Sequence, residues 1–169
     1  MAKYGVVRTD SLSGTTDRSE LVSVKYMGAN GTTPTAIENG SVLKAVKLAD
    51  NEREVFVGEN VAANTPITDI VLVAAPEVPY DERIRNFDEI INDAGKSVRG
   101  YRLPHGNIFS VTKEALVGEA TPAKGDIVEL AAGTKLSVAK TATASSTAVG
   151  KIIAIEQAGR YTYYVIKVD

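Results

Sequence analysis

Apolar and polar positions alternate over short stretches of this chain, and Gly, Pro, Asn and Asp separate one stretch from the next. This is the pattern of β-strands, whose successive side chains point to opposite faces. Residues 21–26, 42–48, 54–57 and 69–75 predict strands, the last a continuous apolar run suited to burial on both faces. Residues 107–111, 126–130 and 135–139 predict three more, and residues 149–155 and 161–168 a closing hairpin. One stretch departs from this pattern. Ile84, Phe87, Ile90, Ile91 and Ala94 form an apolar stripe at helical spacing, with Asp81 and Glu82 before it and Gly95 after it. That arrangement predicts an amphipathic helix over residues 81–94.

Three anchors occur twice in the same order. Asn39-Gly40, Val57-Gly58-Glu59 and a Thr65-Pro66 loop into Asp69-Ile70-Val71 are followed by His105-Gly106, Val117-Gly118-Glu119 and a Thr121-Pro122 loop into Asp126-Ile127-Val128. The gaps between anchors differ, so short β-loops sharing Gly and Thr-Pro by chance is the competing explanation; the common order favours duplication. The expected fold is mainly β: two small β-barrel or β-sandwich units with the helix between them. The expected organisation is an extended N-terminal arm over residues 1–20, a first β-unit over 21–78, a linking helix over 79–99 and a second β-unit over 100–169. Residues 1–20 are polar and turn-rich around the adjacent pair Val6 and Val7, and read equally as a docking arm or a disordered tail.

Composition narrows the chemistry. The chain has 169 residues, a net charge of −2, no cysteine and one histidine. Disulfides and thiolate metal sites are excluded, and one histidine leaves too few nitrogen ligands for zinc. His105 lies in a Pro-His-Gly context that reads as a turn rather than as part of a catalytic triad. Asp88 and Glu89 read as a solvated helix face among Arg83, Arg85 and Lys96. No catalytic residue, metal site or cofactor site is therefore expected, and the chain is not expected to be an enzyme. Basic residues are scattered, which argues against nucleic acid as a partner. No run approaches the about 20 apolar residues of a membrane span, and no signal-peptide pattern is present, so cytoplasmic synthesis is expected. The tyrosines at the C-terminal end offer candidate surface contacts. On an alternating strand Tyr164 falls with Ile166 and Val168 toward the core, leaving Tyr161 and Tyr163 outward.

Ala75-Pro76-Glu77, Tyr80-Asp81-Glu82-Arg83, Asn92-Asp93-Ala94-Gly95-Lys96, Arg99-Gly100-Tyr101-Arg102-Leu103 and Gly106-Asn107-Ile108-Phe109-Ser110-Val111 resemble small structural proteins encoded among the head genes of tailed bacteriophages. The resemblance covers about residues 70–169 and includes the strand 149–155 with its closing partner. It implies a decoration, or cement, protein of the virion: non-enzymatic, placed on the outer capsid surface, with the major capsid protein as partner and self-association left open. Tyr4, Val6, Val7 and Arg8 are then the candidate capsid-contact arm, able to add a strand to a neighbouring sheet edge. A β-barrel module that binds a glycan or another ligand through Tyr161 and Tyr163 is the alternative.

Overall fold

The computed structural model, which describes residues 3–8, 20–76 and 86–169, forms a strand within each stretch that the alternation predicts. The described strands are β1 (Val7–Arg8), β2 (Leu21–Tyr26), β3 (Val42–Lys44), β4 (Val55–Gly58), β5 (Ile70–Val73), β6 (Ser97–Tyr101), β7 (Ile108–Thr112), β8 (Leu116–Gly118), β9 (Ile127–Leu130), β10 (Leu136–Ala139), β11 (Ala148–Ala158) and β12 (Tyr161–Val168). They assemble into a seven-stranded sheet of order β1-β7-β12-β11-β9-β10-β8 and a five-stranded sheet of order β3-β5-β6-β2-β4.

The run at β5 is buried on both faces, as its uninterrupted apolar sequence requires. Ile70 and Leu72 face a large core shared with the seven-stranded sheet, where they join Phe109, Val128, Leu130, Ile152 and Ile166. Val71 and Val73 face a smaller core with Val24, Leu43 and Val98. The larger core also takes Val7 from the arm and Tyr101 and Leu103 from the middle of the chain. The larger core is thus shared by both sheets, while the smaller one belongs to the five-stranded sheet.

This arrangement corrects the expected fold. Neither sheet closes into a barrel, which would require a continuous ladder around the axis. The seven-stranded sheet ends on β1 and β8. The five-stranded sheet curls only to a half-barrel: between its two ends the chain makes the isolated bridges Lys44–Glu59 and Leu48–Phe56 rather than a regular ladder of strands. The two sheets meet across the larger core.

The helix is also corrected. Residues 81–85 lie outside the described residues. Phe87–Glu89 form a single 3-10 turn between extended Asn86 and Ile90. Among the described residues helical structure is confined to such turns of three residues. Tertiary contacts override the periodicity here. Asn92 exchanges two backbone hydrogen bonds with Ile37, each 2.9 Å, and its amide donates to Ile37 O and Asn39 Oδ1. A short isolated helix is too weak to compete with such pairing. The stripe is not a buried face either: Phe87 and Ile91 are exposed. Residues 97–101, expected within the helical linker or just after it, form β6 near the centre of the five-stranded sheet. Gly100 conceals that strand in the sequence. A Cβ there would lie 3.1 Å from Val71 Cγ2 and 3.3 Å from Val24 Cγ1, so glycine marks close sheet packing rather than a break.

The repeated anchors mark similar positions. Gly40 and Gly106 both adopt positive φ, 81° and 84°. The two Val-Gly-Glu segments place β4 and β8 at the end of their respective sheets, each in parallel pairing with its neighbour. The remaining strand order differs between the sheets.

Candidate functional site

The arm, the β11–β12 turn and the segment around Asp88 converge on one surface. The hairpin brings its tyrosines there by an ordinary route. Ala158 pairs with Tyr161, leaving a two-residue loop whose first position, Gly159, has φ of 60°. Glycine there is what a tight hairpin loop of the II′ type needs. Tyr161 and Tyr163 then lie on the face of β12 opposite the core, while Ile166 and Val168 enter the core and Tyr164 packs against it.

Asp88 holds the three segments together. It is 3% exposed. Its Oδ1 accepts the Tyr161 hydroxyl at 2.6 Å, and its Oδ2 accepts Arg160 at 3.1 Å and the Lys3 backbone N–H at 3.2 Å. Its carbonyl accepts the Tyr4 N–H. Burial pushes the Asp88 carboxyl up, but the hydrogen bonds from Tyr161 and the Lys3 backbone, with the Arg160 charge, outweigh it and hold the group below the usual carboxylate range. For Tyr161, burial and the hydrogen bond to Asp88 push the phenol above its ordinary value.

Around this clasp lies an open groove of about 560 Å³, lined by Arg8, Asn86, Phe87, Arg160, Tyr161, Tyr163 and the Ala158–Gly159 turn. Phe87, 48% exposed, stacks on Tyr161 with ring centroids 6.5 Å apart and planes 25° apart. Arg160 lies over the Tyr161 ring at 5.2 Å and Arg8 over the Tyr163 ring at 5.6 Å. Arg8 also pairs with Glu156 at 2.7 Å. Charge is therefore balanced locally, each arginine facing a carboxylate. The arrangement can offer aromatic surface and guanidinium donors to a ligand, with the side chains already held in place.

Arg8 lies over Tyr163 and lines one groove with Tyr161, a meeting of arm and hairpin that no local pattern in the chain announces. Val6 and Val7 are buried and Val7 belongs to the larger core. Tyr4 lies apart, lining a separate hollow with Tyr26, Ile37 and Ile91. Tyr163 is on the expected face but only 4% exposed, because the arm covers it. Phe87, Asp88, Glu156 and Arg160 join the site without any mark in the sequence. Asp88, whose neighbours predict a solvated helix face, is instead buried. No periodic signal marks a carboxylate that is buried by residues 73 positions away. Asn86-Phe87-Asp88 gives no local cue beyond an apolar ring next to an acid. His105 is exposed in its turn, with Gly106 at positive φ beside it.

Comparison with protein-family models, with curated proteins and with solved structures finds no match.

Proposed function

We propose that the chain is a non-enzymatic structural protein of a tailed-bacteriophage head, which binds the outer surface of the capsid shell and stabilises it. The sequence resemblance of residues 70–169 suggests the class, and one observation carries the binding role: the preorganised surface of Phe87, Tyr161, Arg160 and Arg8. Aromatic residues and arginine are the side chains enriched where protein interfaces draw most of their energy. Here Asp88 holds the Tyr161 ring and Arg160, Glu156 pairs with Arg8, and Phe87 stacks on the Tyr161 ring, so part of the surface is ordered before docking. A protein that binds the assembled shell and not its free subunits shifts the equilibrium toward the shell by mass action.

The test mixes the purified protein with undecorated heads of the phage that encodes it and measures co-sedimentation and shell melting. Binding with a rise in melting temperature, weakened by Phe87→Ala, is the expected result. No binding and no rise would remove the proposal.

The second reading, a glycan- or ligand-binding module, draws on the groove beside the same rings. Glycan-array binding lost in Phe87→Ala would favour it. Phe87 is the informative position because Tyr163 is buried, and its truncation would confound binding with folding.

A further inference from the structure

The arm lies in a channel that reads its main chain almost residue by residue. Lys3 N–H donates to Asp88 Oδ2, Tyr4 N–H to Asp88 O, Gly5 N–H to Glu38 Oε2 at 2.8 Å, and Val6 N–H to Thr112 Oγ1. Thr112 N–H returns a bond to Val6 O. Val7 and Arg8 then pair with Val111 and Ser110 of β7. We propose that this channel is a strand-acceptor site and that its occupant is the arm of a second copy of this chain, so that copies exchange arms. The proposal is independent of shell binding.

Three features select this arm as the occupant. The channel tolerates only glycine at position 5, where a Cβ would lie 2.5 Å from Asn39 O and 3.1 Å from Ala115 Cβ. It encloses the two following valines, 1% and 7% exposed. The triplet Gly-Val-Val occurs once in the chain. Charge agrees: the arm carries Lys3 and Arg8, and the channel presents Asp88, Glu38 and Glu156.

Exchange between copies follows from how the arm is attached. The regular ladder is two residue pairs long and β1 is the end strand of its sheet, so opening the arm takes Val6 and Val7 out of their buried sites but breaks no other strand pairing. The chain from Arg8 to Leu21, where β2 begins in the other sheet, can reach at most about 45 Å when extended, slightly more than the diameter of a domain of this size. A neighbour's channel is therefore within reach. It offers the same contacts as the chain's own channel, which is the condition for a low-cost swap.

The absence of cysteine makes a direct test clean. Val7→Cys and Val111→Cys are prepared as separate single variants, mixed at high concentration, incubated and oxidised. Directly paired strand positions have the Cα separation that a disulfide requires. The expected result is a disulfide-linked pair containing one copy of each variant, several-fold more abundant than from Val7→Cys mixed with Asp169→Cys. Adding Gly5→Val to the Val7→Cys chain should abolish it. Arg8→Cys with Ser110→Cys gives a second pair should either valine variant fail to fold. No excess over the control in a folded pair would overturn the proposal and leave the arm bound within its own chain.

Discussion

The Tyr161 hydroxyl donates to Asp88 Oδ1 at 2.6 Å, and this bond ties the C-terminal hairpin to a turn 73 positions earlier. The same carboxylate takes the Lys3 N–H and the half-exposed Arg160. Removing Asp88 leaves three partly buried donors without their acceptor, whereas removing the Tyr161 hydroxyl takes away one donor. Asp88→Ala should cost about 2 kcal/mol and Tyr161→Phe about 1 kcal/mol. Because the two share one bond, the double variant should cost less than the sum. Urea denaturation of the four proteins of the cycle checks this.

The pH dependence has a definite sign at each end. The Asp88 pKa is lowered by folding, so the unfolded chain binds the proton more readily. Its contribution is present above the unfolded value of about 3.9 and is lost as pH falls through the lower, folded value. The Tyr161 pKa is raised, so its contribution holds below about 10 and is lost as pH rises through the higher, folded value. Thermal melting against pH should show wild type and Asp88→Asn converging in acid. Tyrosinate absorbance should show Tyr161 titrating late in wild type and earlier in Asp88→Asn.

Glu129 is 4% exposed on β9 and accepts both the backbone N–H and the hydroxyl of Thr143, at 3.0 and 2.6 Å. It fastens the Ala/Ser/Thr-rich segment of residues 141–147 to the sheet. Glu129→Ala should cost about 1–3 kcal/mol and should speed proteolytic cleavage within that segment. Limited proteolysis followed by mass spectrometry reads both the rate and the position.

Two glycines with left-handed backbone should respond differently to alanine. Gly118 has φ of 88°, and a Cβ there would lie 2.5 Å from Val138 O. Gly125 has φ of 95° and open space around it. Gly125→Ala should cost about 1 kcal/mol from backbone strain alone, and Gly118→Ala about 2–3 kcal/mol, since the β8–β10 pairing must also shift. Chemical denaturation of the two variants measures the difference.

Strand positions were legible wherever burial on one or both faces imposed a period, as at residues 21–26, 70–73 and 161–168. The strand at 97–101 was hidden because its central buried position is Gly100, which reads as a break unless Val71 and Val24 are known to crowd it. The stripe at 84–94 shows the opposite failure. Its spacing is helical, yet Asn92 pairs with Ile37 and Asp88 turns inward to Tyr161. Of the candidate site, Arg8, Tyr161 and Tyr163 could be nominated by residue type. Phe87, Asp88, Glu156 and Arg160 join them only through contacts across the fold.

By itself the sequence determined a mainly β chain, its hairpin, its turns and the absence of any thiol chemistry, because these follow from residue type and from the two-residue period of a pleated strand. Only the tertiary structure decided that the sheets stay open, that the larger core is shared between them, and that an N-terminal arm closes over a carboxylate near the middle of the chain. Those outcomes depend on long-range pairings, Val7 with Val111 and Asp88 with Tyr161, whose partners lie far apart in the chain and leave no periodic trace in it.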